Sequence, residues 1–236
     1  MNTRHLALPL IFIVYGIGIG ACDAGSPPVP RAKPALASPL AATAVEAVIH
    51  RDWRDHKLPF GVRLSAAAEE RTTHEVRYDA AYLRIPYPMG DVPADQGVCS
   101  DEVIRAYRLL GIDLQQLVHE DMNRQFHLYP KRWGMAAPDA NIDHRRVPNL
   151  ARFFGRHGQS LPVTDDAADY KPGDVIAWAM PDGRPHIGIV TEQRTGDGAR
   201  PLVMHNIGLG PHIEDMLFAL KITGHYRYDG PERRHS

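Results

Sequence analysis

The chain has 236 residues, of which 44% are hydrophobic and 23% are charged. Its 27 Lys and Arg residues nearly balance its 28 Asp and Glu residues, and no long run of either sign occurs. This pattern argues against a nucleic-acid partner and against a polybasic membrane patch. Once an N-terminal export segment and a tether are subtracted, the remaining length is typical of one compact domain.

The N-terminus has the form of an export signal. An apolar run over residues 6–19 is too short for an ordinary spanning helix. It ends in Ile-Gly-Ala-Cys at residues 19–22, which resembles the lipobox of bacterial lipoproteins. The resemblance implies acylation of Cys22 and a firm lipid anchor at the periplasmic face of the cell envelope. Asp23 slightly favours the inner membrane, and a plain secretory signal is the alternative.

Composition divides the chain into three parts. Residues 1–22 are the expected lipoprotein signal peptide. Residues 23–44 are rich in Ala and Pro and contain almost no large apolar side chain. Such a segment cannot bury a core, so we expect a disordered tether there. The folded domain is expected over residues 45–236.

The pattern of apolar residues predicts helices first and strands afterwards. Apolar spacings of three and four predict helices over residues 43–56, 62–71, 98–111, 114–127 and 147–157. Short apolar runs between Gly, Asp and Pro turns predict strands over residues 174–179, 186–191, 201–207 and 225–228, after an extended stretch over residues 76–88. This order indicates an α+β domain with an antiparallel sheet.

Cys99 is the first candidate for chemistry. The chain contains only two cysteines, so acylation of Cys22 leaves Cys99 as a lone thiol in an oxidising compartment. Cys99 lies in the first turn of the helix predicted over residues 98–111, where the unsatisfied N–H groups lower the pKa of a thiol. We therefore interpret Cys99 as a nucleophile rather than as a small buried hydrophobe.

A thiol nucleophile needs a base and a group that orients the base. His186 begins a β-like run directly after a turn, so a strand would hold its ring rigidly. His205 and Asn206 end the next apolar run, and either side chain can orient His186. We place His205 in that role, with Asn206 as the alternative.

Several motifs occur in an order that resembles the NlpC-type cell-wall peptidases, which are papain-like cysteine hydrolases. They are Tyr-Pro-Met-Gly-Asp at residues 87–91, Val-Cys-Ser-Asp at 98–101, Lys-Pro-Gly-Asp-Val-Ile at 171–176 and His-Ile-Gly-Ile-Val at 186–190. The nucleophile motif lacks the usual Asp before Cys99 and the usual Gly two residues after it, and Met89 stands where a glycine is more usual.

Three further phrases make the chain resemble a bacterial family known as domain of unknown function 1287, within the same superfamily. These phrases are Val-Arg-Tyr-Asp at residues 76–79, residues 142–149, and His-Asn-Ile-Gly at 205–208. The resemblance covers residues 62–228. It implies a papain-like NlpC-type fold with the nucleophile helix packed on an antiparallel β-sheet, and a triad of Cys99, His186 and a third polar residue.

The same resemblance implies hydrolysis of amide or peptide bonds in peptidoglycan stem peptides through a thioester. Tyr87 is a candidate oxyanion donor or cleft residue, although a tyrosine beside a proline more often packs. Asp101 is a further candidate near the oxyanion, unless it only complements the helix dipole. His144 and Arg145 belong to a basic segment that either clamps stem-peptide carboxylates or is a solvated loop.

No cofactor and no catalytic metal are expected. The chain has 13 histidines, but neither His119-Glu120-Asp121 nor His205 with His212 has a recognised ligand spacing.

Two other functions stay open at this point. One is a papain-like acyltransferase or lipid acyl hydrolase. The other is a catalytically inactive envelope binding module. The absence of the usual Asp and Gly around Cys99 is consistent with this function. An enzyme predicts rapid alkylation of Cys99 at neutral pH, whereas a binding module predicts ordinary thiol reactivity.

Overall fold

The computed structural model describes residues 51–231. Helices are concentrated in the first half of this region, as the sequence predicts. They are α1 (Phe60–Arg71), α2 (Cys99–Leu109), α3 (Leu114–Gln125) and α4 (Val147–His157). Short 3₁₀ turns occur at Phe126–Leu128, Asp143–Arg145 and Ala167–Asp169.

The second half forms an antiparallel sheet. In chain order its strands are β3 (Gln159–Ser160), β4 (Val175–Ala179), β5 (Pro185–Arg194), β6 (Pro201–His205), β7 (His212–Glu214) and β8 (Lys221–Arg227). Across the sheet the order is β3-β8-β4-β5-β6-β7. Two further strands, β1 (Arg77–Tyr78) and β2 (Gln96–Gly97), pair in parallel outside this sheet.

Helix α2 packs against the middle of the sheet. Val103 and Tyr107, four residues apart on one helix face, are fully buried with Ile187 and Ile189 of β5. Each such side chain stabilises the fold by about 1.5–3 kcal/mol. The hydroxyl of Tyr107 donates to the carbonyl of Tyr228 at 3.0 Å. The prediction of an α+β fold whose Cys99 helix packs on an antiparallel sheet is therefore confirmed.

Gly188 brings β5 and β6 close together. A Cβ atom at this position would lie 2.7 Å from the carbonyl oxygen of Met204 and 3.1 Å from the Cβ atom of His205. Any larger residue would therefore push the two strands apart. The glycine in the His-Ile-Gly-Ile-Val motif keeps the ends of β5 and β6 at the spacing that lets His186 and His205 meet.

A buried ion cluster fixes the start of β4. Asp174 is fully buried and accepts hydrogen bonds from His225 at 2.8 Å and from Arg227 at 2.7 and 2.9 Å. It also accepts from the backbone N–H of Lys171, across a turn in which Gly173 has φ of 85°. The Pro-Gly-Asp motif thus ties β4 to β8.

Several features differ from the sequence predictions. Residues 51–56 of the helix predicted over 43–56 form turns, and the rest of that helix lies outside the described residues. Only Arg77–Tyr78 of the extended stretch is a strand. Strand β7 is additional, because pairing with β6 rather than local pattern makes its three residues extended.

The signal peptide, Cys22 and the tether lie outside the described residues, so that division of the chain stays a prediction. None of the helices within residues 51–231 combines the length and hydropathy that crossing a membrane requires.

Candidate active site

Cys99 is the first residue of α2. The helix begins there because the Asp101 carboxylate accepts a hydrogen bond from the Val98 N–H at 2.7 Å, which satisfies a donor that the helix itself leaves free. Cys99 is only 4% exposed and belongs to the core that joins α2 to β5. Its thiol thus lies at the helix N-terminus but inside the protein.

Burial raises the pKa of the Cys99 thiol to about 12. The backbone N–H of Ile187 opposes this shift by hydrogen bonding, as does that of Ser100, while the Asp101 charge adds to the shift. The helix N–H groups lower this pKa as expected, but the expected net lowering is wrong, because desolvation of a thiolate outweighs those groups here. At neutral pH the group is a thiol, so it needs a base to become a nucleophile.

His186 is the second residue of β5 and is 3% exposed. Its Nε2 atom lies 3.0 Å from Nδ1 of His205, and its ring packs 5.8 Å from that of Trp178. Burial lowers the pKa of His186 to about 3, with further lowering by His205 and His212. The imidazole is therefore neutral at pH 7.

His205 continues the hydrogen-bond chain to a carboxylate. It is fully buried, and its Nε2 atom lies 2.8 Å from Oε1 of Glu214, on β7. An ionised carboxylate only accepts hydrogen bonds, so this network assigns the His205 proton to Nε2. Nδ1 of His205 then accepts from Nε2–H of His186. The remaining nitrogen of His186, Nδ1, carries the lone pair that a base requires.

The thiol lies beside the strand that carries this base. The backbone N–H that reaches the Cys99 sulfur belongs to Ile187, the residue after His186. Among the hydrogen bonds of residues 51–231, none joins Cys99 to His186 directly. Catalytic hydrogen bonds are often long in substrate-free structures and tighten when substrate binds.

Tyr78 is a site residue that the sequence analysis missed. The parallel pairing of β1 with β2 sets it opposite Gly97, two residues before Cys99. Burial raises the pKa of Tyr78 to about 12, and a thiolate charge at Cys99 would raise it further. Tyr78 is nonetheless 37% exposed, so solvent can reach it. The signal that pointed to Tyr78 was the Val-Arg-Tyr-Asp phrase at residues 76–79.

Tyr87 lies elsewhere. Its ring packs edge-on against that of His119 at 5.1 Å. No hydrogen bond or ring contact with Cys99, His186 or His205 occurs within the described part of the chain. The contact that the structure shows for Tyr87 is therefore ring packing on His119.

Asp101 and Arg145 form a buried ion pair. Nε and Nη2 of Arg145 lie 2.8 and 2.9 Å from the two carboxylate oxygens of Asp101, and both side chains are 3% exposed. Arg145 also donates to the carbonyl of Ala81 at 3.0 Å, and Ser100 donates to the Arg145 carbonyl at 2.6 Å. Because its donors are used internally, Arg145 neither clamps a substrate carboxylate nor lies on a solvated loop. It holds the first turn of α2.

The other two candidates are also buried. His144 is 2% exposed, and burial, followed by the neighbouring Arg145 charge, lowers its pKa to about 3. Asn206 is fully buried and its Oδ1 accepts from the Gly208 N–H at 3.0 Å. The contact with His186 is made by His205 and not by Asn206.

Strand β7 brings a second histidine and a carboxylate to His205. The ligand atoms of His205, His212 and Glu214 all lie within 4.8 Å of one another. The sequence analysis paired His205 with His212 but missed Glu214, whose only signal is its position two residues after His212, on the same face of a strand. His119-Glu120-Asp121 does not assemble, because Asp121 pairs with Arg156 and His157 instead.

Comparisons with known proteins match most of the chain. The chain is 48% identical over 165 residues to the Escherichia coli (strain K12) protein described as "Uncharacterized protein YijF", a match that covers 70% of this chain and 80% of that protein. Two solved structures from Trichomonas vaginalis, NlpC2 and NlpC1, have TM-scores of 0.40 and 0.41 at 20% and 18% identity. Each match covers 75% of this chain, which spans about half of those chains (50% and 48%).

A family model matches residues 65–228, which include every side chain of the site described above. The chain belongs to the family described as Domain of unknown function (DUF1287).

Proposed function

We propose that the chain is a cysteine-dependent amide or peptide hydrolase of the bacterial cell envelope that acts on peptidoglycan stem peptides. The observation that carries this proposal is the chain of hydrogen bonds from Glu214 through His205 to His186. It ends at His186, the residue before Ile187, whose backbone N–H acts on the Cys99 thiol, and it leaves Nδ1 of His186 without a hydrogen bond within residues 51–231. A histidine held in one tautomer by a carboxylate-linked partner is the arrangement that nucleophilic catalysis uses.

The reaction proceeds in two halves. The Cys99 sulfur bonds to the substrate carbonyl carbon as the thiol proton moves to Nδ1 of His186. The carbon–nitrogen bond then breaks, and the leaving amine takes that proton, which leaves a thioester. In the second half, a water molecule gives a proton to His186 and attacks the thioester. The carboxylic acid leaves, and the proton returns to the Cys99 sulfur.

The negative charge that develops on the substrate carbonyl oxygen is stabilised by hydrogen-bond donors that are already in position. Backbone N–H groups at the start of α2 lie near the sulfur, since those of Cys99 and Ser100 both lower the pKa of the thiol. The Tyr78 hydroxyl is the nearby side-chain donor. Preorganised donors of this kind stabilise an oxyanion far more effectively in a buried site than in water.

Features of the sequence support the proposed substrate class and the proposed location in the cell envelope. The export signal and the lipobox-like Cys22 favour the periplasmic face of the envelope, with membrane attachment through an N-terminal lipid. The ordered motifs resemble those of cell-wall peptidases. In the envelope, stem peptides are the amide-rich polymer that such a domain would meet.

A catalytically inactive binding module is the second candidate. The observation that favours it is the Cys99 thiol itself, which is buried, has a raised pKa and is not hydrogen bonded to His186 within residues 51–231. Such a module would keep the cleft without the chemistry.

The test uses the untagged full-length protein in mild detergent. Purified peptidoglycan is incubated with the wild-type protein, with Cys99→Ala and with His186→Ala, and released fragments are read by mass spectrometry. Thermal unfolding confirms that the variants are folded. Fragments made by the wild type alone would support the hydrolase and name the bond. No fragments, with fatty acid released from phospholipid vesicles, would indicate a lipid acyl hydrolase, and no product from either substrate would favour the binding module.

A further inference from the structure

The hairpin of β6 and β7 gathers three potential metal ligands at the outer end of the hydrogen-bond chain. His205 lies directly opposite His212 in the strand register, and Glu214 follows two residues later on the same face as His212. Oε1 of Glu214 lies 2.8 Å from Nε2 of His205 and 3.3 Å from Nε2 of His212. The carboxylate is thus held between the two imidazoles.

These separations are close to those in a zinc site. With metal–ligand distances of about 2.0–2.2 Å in a tetrahedron, ligand atoms lie roughly 3.4 Å apart. The two measured separations, 2.8 and 3.3 Å, are both shorter than this value, so the carboxylate has to move slightly away from the imidazoles to admit the ion. Two imidazoles and one carboxylate form a ligand set that binds zinc and leaves a fourth position open.

The second nitrogen of each imidazole is already occupied, as the outer shell of a metal site requires. Nδ1 of His212 lies 2.9 Å from the carbonyl oxygen of Gly210, which only accepts, so its proton is on Nδ1 and the lone pair is on Nε2. Nδ1 of His205 contacts Nε2 of His186. His212 and Glu214 are 31% and 49% exposed, so an ion can reach the cluster from solvent.

We propose that His205, His212 and Glu214 form a binding site for Zn²⁺. The site lies outside the Cys99–His186 pair and shares only the outer two members of the hydrogen-bond chain with the proposed mechanism.

Occupancy of this site would act on the thiol through proton positions. Zinc takes the lone pair of His205 Nε2, so the His205 proton moves to Nδ1 and points at Nε2 of His186. His186 must then accept there, which leaves its proton on Nδ1, the atom that would otherwise take the thiol proton. Bound zinc therefore inhibits the thiol chemistry. This consequence, unlike the binding itself, rests on the proposed function.

Binding is measured by calorimetry on untagged, metal-free, full-length protein titrated with Zn²⁺, with Co²⁺ absorption as a report of coordination. We expect one equivalent to bind the wild type. His212→Gln should weaken binding on the order of 100-fold, because even outer-shell partners of a metal are worth about 10- to 100-fold in affinity. His157→Gln is the matched control, since His157 also pairs with a carboxylate, at 3.1 Å, but within residues 51–231 it belongs to no cluster of metal ligands. It should bind zinc as the wild type does.

Two results would overturn the site. One is wild-type affinity in His212→Gln, and the other is loss of zinc binding in Cys99→Ala, which would place the ion on the thiol instead. Inhibition is read separately, as slower alkylation of Cys99 by iodoacetamide when zinc is present in the wild type but not in His212→Gln. If Cys99 is unreactive even without zinc, the proposed function fails, while the calorimetry still decides the metal site.

Discussion

His186 and His205 meet at a right angle, with Nε2 of one 3.0 Å from Nδ1 of the other. The contact joins the start of β5 to the end of β6, and Gly188 makes the approach possible. It fixes the ring of His186 and decides which of its nitrogens carries the proton. The proposed catalysis depends on this contact as much as on the thiol.

Removing the partner of His186 should lower turnover without unfolding the domain. We expect His205→Ala to reduce kcat on the order of 10²-fold or more, because the imidazole is no longer held in the required tautomer. His205→Asn should recover part of the loss, since an amide oxygen also accepts from N–H. If His205 has a purely structural role, the loss of kcat in each variant should instead follow its loss of thermal stability, and asparagine should give no specific recovery. Steady-state kinetics and unfolding curves separate the two cases.

Tyr78 should contribute to turnover through its hydroxyl alone. We expect Tyr78→Phe to lower kcat by about 10²-fold with little change in KM, as the loss of one oxyanion donor does elsewhere. Tyr87→Phe is the matched control, because the Tyr87 ring packs on His119. Equal effects of the two substitutions would contradict the assignment of Tyr78 to the site.

The buried ion pair of Asp101 and Arg145 should contribute mainly to the stability of the fold. We expect Arg145→Ala to lower the free energy of unfolding by about 3–5 kcal/mol, since it leaves the Asp101 carboxylate buried without its partner. The exposed pair of Arg51 and Glu192 supplies the comparison, and Glu192→Gln should cost less than about 1 kcal/mol. Urea unfolding at pH 7 measures both. Similar values for the two variants would show that the buried pair does not hold the start of α2.

Asp174 should make stability depend on pH. Burial alone would raise the pKa of this carboxyl, but hydrogen bonds from His225 and Arg227 outweigh burial and hold it below its ordinary value. A group with a lowered folded-state pKa stabilises the fold above its unfolded pKa of about 3.9, and this contribution is lost as the pH falls through the folded value. The difference in unfolding free energy between wild type and Asp174→Asn should therefore be constant near neutrality and shrink below about pH 4. A difference that does not change with pH would contradict this account.

Local pattern was sufficient to predict the helix that begins at Cys99 and the strand that carries His186. Apolar spacing and Gly111 marked α2, and the alternation after His186 marked β5. The effects of contacts between residues distant in the sequence could not be predicted from local pattern. The raised pKa of Cys99 results from burial under the sheet, which tertiary packing produces.

The choice between two tyrosines shows the same limit. Tyr87 belongs to the motif that resembles the family pattern, yet it is Tyr78 that the pairing of β1 with β2 sets opposite Gly97, two residues before Cys99. Glu214 was missed because three residues after a glycine-rich turn carry too little pattern to predict a strand. Both side chains reach the site through strand pairing, which a single sequence does not reveal.

The most direct test of the central claim is the rate at which iodoacetamide alkylates Cys99 at neutral pH, read by mass spectrometry in wild type and in His186→Ala. Because the thiol is buried and its pKa is raised, fast reaction requires His186 to take the proton. We expect the wild type to react at least about 10²-fold faster than the variant, which is the lower end of the range that a general base supplies. Equal and slow rates in both proteins would contradict the assignment of Cys99 and His186 as nucleophile and base.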